Sequence, residues 1–512
     1  MKNVNSTFVP RRQFIKGLIG SGILLSSTSY FSCGQKTTRA IGGRQFHLCL
    51  SPLTIAKDPE ILEIVKNAGI TDIWLAAFLY GRWHKTPEEL KIIVRQLESK
   101  GLAAHIINVP LGHPGNALGV SEDVVSSTPP PHWKNACTVD GTLYSGTSIH
   151  HPAVEENVDA VKALAAQGFD TIFLDDDFRI AKSPGQIGGC FCSKCQAEFL
   201  NKCGYDSADW DLLIDSVETR TLSPVLRSWV DYGCDKLYGM FSAMQAAAPN
   251  VPLGNMIMYL GSEKAGIPLD KFRDVPFRVG ELMFNDKSFN PIKGKTDELF
   301  SALFHRRFAQ PDLAYSESTA FPADQLSAVN MAAKLTVSLI ADVRNTMFMS
   351  GLTPFPISHW DILEPAMRKS ATLHKKVMGH RPRGPFKHFW GMDSRIVGRD
   401  KPFSLFLASG VPFEVTDQVS ADGWYFLSDE DARAVQEKRL SADQSNLIVR
   451  SDAAAQSDLF IKTEENIKQM FALKHKVTPL LKGVPYVAGD IPAVFAWYPT
   501  ARTGLLWNIN EQ

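Results

Sequence analysis

The chain has 512 residues, 44% of them hydrophobic and 21% charged, enough to bury a large core without disulfide support. Lys plus Arg and Asp plus Glu each number 54, so the formal net charge is zero. That balance argues against nucleic-acid binding, which asks for a basic excess, and the length asks for more than one domain.

Residues 1–40 read as an export segment. Arg11-Arg12-Gln13-Phe14-Ile15-Lys16 is similar to a twin-arginine motif, and the apolar run from Gly17 to Leu25 is too short to span a bilayer. Cys33, after Tyr30-Phe31-Ser32, is a candidate lipid-attachment residue. The expected location is therefore the periplasm, free or as a membrane-anchored lipoprotein.

From 41 to 380 strand-like and helix-like segments alternate. Strands are expected at Gln45–Ser51, Asp72–Phe78, Ala103–Val109, Thr171–Asp177, Leu253–Tyr259, Arg278–Phe284, Leu313–Glu317 and Arg344–Met349. Helices are expected at Asp58–Ala68, Thr86–Lys100, Pro152–Ala166, Pro224–Ala248, Thr296–Phe308, Ala323–Leu339 and Leu363–Met378. A long loop with Gly112-His113-Pro114, Trp133, Cys137 and His150-His151 separates the third strand from the next helix. Eight β/α units predict a (β/α)8 TIM barrel. A doubly wound sheet is the weaker alternative, because no glycine-rich dinucleotide turn follows the first strand.

His380-Arg-Pro-Arg-Gly-Pro385 reads as a linker into a small α/β domain over 381–475, with strand-like Pro402–Leu407 and Gly423–Leu427 and a helix from Ser428 to Val435. Residues 476–512 close the chain with a β segment, Ala493–Tyr498 and Thr503–Asn508.

In such a barrel the reacting groups sit at the C-terminal ends of the strands. The carboxylates there are Asp175, Asp176 and Asp177 after the fourth strand, Glu281 on the sixth and Glu317 on the seventh. Alternation puts Asp175 and Asp177 on one face and Asp176 on the other, with Arg179 as a nearby counter-charge. A carboxylate pair across a barrel mouth is what glycoside hydrolysis uses, one group giving a proton and the other attacking or activating water. Tyr80, Trp83, Trp133 and Trp360 are candidate platforms for sugar rings, with His113, His150 and Arg179 as polar partners. Cys190-Phe191-Cys192-Ser193-Lys194-Cys195 has the spacing of a structural zinc site, completed by Cys137 or Cys203, or of disulfide-paired cysteines. No catalytic metal is expected.

The block Asp175-Asp176-Asp177-Phe178-Arg179, followed by Cys190-Phe-Cys192-Ser-Lys-Cys195-Gln-Ala-Glu-Phe199, resembles the fourth-strand region of family 42 glycoside hydrolases, the β-galactosidases and their relatives. The resemblance implies Asp177 as general acid/base, Asp176 beside it and Glu317 as nucleophile. It also implies zinc held by Cys137, Cys190, Cys192 and Cys195, an amidotransferase-like domain after the barrel, and a tendency to form homo-oligomers. The chain departs from the family pattern in having Asp where Glu serves as the acid/base, and Asp where Asn precedes it. A scheme with Asp175 as nucleophile and Glu281 as acid also fits an (β/α)8 barrel. The function expected is that of an exported glycosidase acting on carbohydrate. The alternative is a barrel lipoprotein that binds carbohydrate without cleaving it.

Overall fold

The apolar runs form strands because each lies between two layers of side chains, the barrel interior on one face and the helices on the other. In the computed structural model they are β1 (Gln45–Leu50), β2 (Asp72–Leu79), β3 (Ala103–Val109), β4 (Ile172–Leu174), β5 (Leu253–Ile257), β6 (Phe277–Val279), β7 (Ala314–Thr319) and β8 (Asn345–Met349). All neighbours pair in parallel, and β8 and β2 both pair with β1, which closes the eight-stranded barrel. The structure describes residues 43–113, 129–175, 178–257, 259–279, 282–420, 422–442, 446–450, 461–463 and 465–509. The export segment with Cys33, and Asp176, Asp177 and Glu281, lie outside the described residues.

Helices begin where the sequence supplies caps. The Thr86 hydroxyl accepts from the Glu89 N–H at 3.3 Å, and the Glu89 carboxylate accepts from the Thr86 N–H at 2.9 Å, opening the helix Pro87–Ser99. The strand-six segment differs from expectation: β6 is described at Phe277–Val279, residues 282–284 lie outside any strand, and Asn285 caps a short helix at Asp286–Phe289. Two helices, Ser193–Cys203 and Ser207–Thr219, extend the fourth β/α unit beyond the expected pattern. Among the described residues no helix is long and apolar enough to cross a membrane.

Inside the barrel Cys49, Trp74, Ile107, Phe173 and Met347 form one buried layer. Gly254 on β5 admits the Phe173 ring, since a Cβ there would lie 2.4 Å from it.

A second sheet follows: β9 (Phe386–Phe389), β10 (Phe413–Thr416), β11 (Trp424–Phe426), β12 (Leu447–Arg450) and β13 (Ile461–Thr463), all parallel in the order β10-β9-β11-β12-β13. The expected strand Pro402–Leu407 is instead loop leading into a 3-10 turn at Leu405–Ala408, and the apolar Phe386–Phe389 takes the sheet position. Leu405, Phe406 and Leu407 are buried all the same, so their apolar run reflects core packing rather than strand pairing. The chain ends in the antiparallel hairpin of β14 (Ala493–Tyr498) and β15 (Thr503–Asn508), whose Tyr498 hydroxyl donates to the Ile340 carbonyl at 2.9 Å. Buried ion pairs, Lys264 with Asp400 and Arg395 with Glu263, join the barrel to the second sheet.

Burial holds three histidines neutral: His47, His305 and His388 are each lowered to about 4. In the unfolded chain they bind protons near the ordinary value of about 6.5. Between these values the unfolded state binds more protons, so stability falls as pH drops through that window. Asp431, raised by burial to about 6, opposes them, as do Asp297, Glu298 and Asp400, while His84, His150 and His374, lowered by burial, act with them. The melting temperature is expected to be lower at about pH 4.5 than at about pH 7. Circular-dichroism melts check this, and an equal or higher value at the acid pH contradicts it.

Candidate active site

Tyr315 packs on Phe173 in the interior layer, ring centroids 5.0 Å apart, which fixes the phase of β7. Glu317 and Thr319, two and four residues on, therefore also face inward. On β4 the same period carries Asp175 inward after Phe173, and the Asp175 N–H donates to the Asn108 carbonyl of β3 at 2.7 Å. Arg278 of β6 enters between them. Its Nε lies 3.0 Å from Glu317 Oε2, and Nη2 donates to Asp175 Oδ1. The Thr319 hydroxyl donates to Glu317 Oε1, and Arg278 Nη1 lies 3.0 Å from Met347 Sδ.

This is a buried ionic cluster: Arg278 is 0% exposed, Asp175 4% and Glu317 6%. Burial works against the guanidinium charge, but attraction to Asp175 and Glu317 outweighs it and carries the Arg278 pKa above its ordinary value. Two carboxylates from different strands thus meet one cation, and the buried Lys334–Glu298 pair lies within electrostatic reach of Glu317. Cys49 lies close by, its thiol pushed up by burial first and then by Asp175 and Glu317.

Arg278 was not among the residues expected at the site. An arginine inside an apolar barrel strand is itself a signal, because a buried guanidinium needs polar or charged partners. Arg179, the expected counter-charge, donates from Nε to the Ala181 carbonyl at 2.7 Å and from Nη2 to the Lys182 carbonyl at 3.3 Å, shaping the turn after β4.

The aromatic candidates divide. Trp83, on a short strand paired with the end of β2, is 38% exposed and packs edge-on to Phe78. Tyr80 follows β2 with φ +54°, buried beside Val109. Trp360 lies in the core instead of on a rim, edge-on to Phe348 and Phe355. Trp133 is buried, its Nε1 donating to Glu156 at 2.8 Å. His113 borders segment 114–128, which lies outside the described residues.

The cysteines gather apart from the carboxylates. Trp229 Nε1 donates to the Gly188 carbonyl at 2.9 Å, and Gly189, at φ +116°, lies so close to the Trp229 ring that a Cβ would sit 2.4 Å away. That contact turns the chain into Cys190. Cys192 caps the helix Ser193–Cys203, and Cys195 lies in its first turn, where the helix dipole favours thiolate. Cys192, Cys195 and His150 each offer a ligand atom within 4.8 Å of the others. A hydrogen bond from Cys195 lowers the Cys190 thiol and raises that of Cys195, while burial and then Cys190 raise Cys137. His150 thus belongs to this cluster rather than to a sugar rim, its Nε2 3.2 Å from Cys195 Sγ. Cys203 ends the helix eight residues beyond Cys195, about 12 Å along its axis, too far to join one ion. No described cysteine is disulfide-bonded. Thiols with one imidazole are the donor set that suits tetrahedral zinc.

No family model matches the sequence, and no curated protein matches it. Solved structures that resemble the chain are glycoside hydrolases. An α-L-fucosidase from Paenibacillus thiaminolyticus has 10% identity and a TM-score of 0.48, over 81% of this chain and 65% of that one. A β-galactosidase from Marinomonas ef1 has 10% identity and a TM-score of 0.49, over 81% and 76%. A dextranase from Flavobacterium johnsoniae has 12% identity and a TM-score of 0.36, over 66% and 40%. The chain thus spans less than two thirds of the fucosidase and of the dextranase.

Replacing Arg278 with Met leaves two buried carboxylates without their cation. The expected loss is about 3–5 kcal/mol of unfolding free energy, measured in urea. Adding Asp175→Asn and Glu317→Gln to Arg278→Met should recover part of it; a variant as stable as the natural chain would contradict the pairing.

Proposed function

We propose that the chain is an exported glycoside hydrolase with Glu317 as nucleophile and Asp177 as general acid/base. One observation carries the reading: Asp175 of strand four and Glu317 of strand seven, from separated strands, converge on one guanidinium at the C-terminal ends of the barrel strands. Arg278 and the Thr319 hydroxyl meet the two oxygens of Glu317 and fix its orientation, as a nucleophile needs. Asp175, paired with the same cation, serves as a positioning group for Arg278 rather than as a proton donor.

In the proposed reaction Asp177 protonates the leaving glycosidic oxygen while Glu317 attacks the anomeric carbon. Asp177 then takes a proton from the water that releases the glycosyl-enzyme, retaining configuration. Trp83, half-exposed beside β2, offers a ring for a sugar face, with Tyr80 three residues before it and His113 as a further candidate. Structural zinc at Cys137, Cys190, Cys192 and Cys195, with His150 as a competing ligand, would fasten the turn after β4. Export through residues 1–40, with Cys33 as an anchor, belongs to the same proposal.

One observation favours a second reading, a carbohydrate-binding barrel without turnover: Glu317 is only 6% exposed and both of its oxygens are engaged. Kinetics with aryl glycosides separate the two. Asp177→Asn and Glu317→Gln should each lower kcat by about 10²–10⁴-fold with oligosaccharide binding kept. A natural chain that binds oligosaccharide but turns over no glycoside sustains the second reading instead. For the metal, Cys190→Ser should remove one equivalent of zinc per chain by atomic emission; unchanged zinc content would sink the cysteine assignment.

A further inference from the structure

The N-terminal end of the barrel, opposite the carboxylates, holds ionisable side chains that the proposed reaction does not use. His47 of β1, Asp72 of β2 and His105 of β3 meet there, with His47 in register with Asp72, and Trp74 with His105. His47 is 1% exposed and Asp72 2%, while the His105 side chain keeps 13%, a route in from solvent. His105 Nε2 lies 2.8 Å from Asp72 Oδ1, and His47 Nδ1 lies 3.8 Å from Asp72 Oδ2. Each of the three side chains offers one ligand atom within 4.8 Å of the other two.

Tetrahedral zinc with bonds of about 2.0–2.1 Å sets its ligand atoms about 3.3 Å apart, inside the 4.8 Å within which the three ligand atoms lie. The ring nitrogens that face Asp72, and that a metal would take, are His47 Nδ1 and His105 Nε2. Trp74 Nε1 donates to His47 Nδ1 at 3.1 Å, and the Thr71 hydroxyl donates to Asp72.

We propose that His47, Asp72 and His105 form a site for a divalent transition-metal ion, Zn2+ or one of like preference, that ties β1, β2 and β3 together at the closed end of the barrel. Two imidazoles and a carboxylate select such an ion over Mg2+ or Ca2+, which prefer all-oxygen shells. Water fills the fourth position. Loading at His105 Nε2 moves that ring's proton to Nδ1, and at His47 Nδ1 it takes the lone pair that Trp74 now uses. This site differs from the cysteine cluster in having no sulfur, and it stands whether or not the chain hydrolyses glycosides.

The test uses the full chain, stripped of metal with a chelator and reloaded with Zn2+ or Co2+ alone. Crystals soaked in Zn2+ should show anomalous density between His47, Asp72 and His105. In solution the Cys190→Ser/Cys195→Ser variant should still bind Co2+, with ligand-field bands and no sulfur-to-cobalt charge transfer. His105→Gln, the more exposed and milder change, should bind one equivalent less than the natural chain. No anomalous density at this place, or equal uptake by His105→Gln and the natural chain, overturns the proposal. The diffraction test needs no variant, so a variant that fails to fold leaves the answer intact.

Discussion

A guanidinium inside a barrel has no water to solvate it, and the placement of Arg278 constrains everything around the mouth. Asp175 and Glu317 lie against it and carry its pKa above the ordinary value despite burial. The three residues come from β4, β6 and β7, so the pairing holds the strand phases at which their side chains meet. A shift of one residue in any of these strands would turn its charged group to the helical layer and leave the others buried and unpaired. Glu317 is thereby held in one orientation, as a reacting carboxylate must be, and it is also enclosed.

The turn after β4 connects this cluster to the rest of the molecule. Arg179 bonds the carbonyls of Ala181 and Lys182, Trp229 receives the glycine pair before Cys190, and Arg220 bonds the carbonyls of Gly185, Val397 and Gly398. Residues 179–189 are therefore fastened to the barrel helices on one side and to the second sheet on the other. Such support from many directions is what precise placement of a reacting group requires. The buried pairs Lys264–Asp400 and Glu263–Arg395 act at the same junction.

Much of the fold was legible in the sequence. The expected strands Gln45–Ser51, Asp72–Phe78 and Ala103–Val109 match β1, β2 and β3 to within a residue, because their apolar runs and flanking turns are local signals. The capping box at Thr86 was equally local. Pro402–Leu407 was misread because burial under a sheet and membership of a sheet leave the same apolar run. Trp360 and Trp133 looked like sugar platforms because composition does not reveal which way a ring points. His150 was read as a polar partner for sugar, because its place in the long loop says nothing of its distance to Cys195.

The sequence by itself determined the β/α alternation, the period that turns Asp175 and Glu317 to the same side of their strands as Phe173 and Tyr315, and the close spacing of Cys190, Cys192 and Cys195. Only the tertiary structure decided that Arg278 stands between the two acids and that His47, Asp72 and His105 share the opposite end. Periodicity and spacing act over a few residues, whereas Arg278 and Asp175 are 103 positions apart along the chain. A charge partner at that separation is chosen by closure of the barrel and by the energy of leaving an ion unpaired inside it.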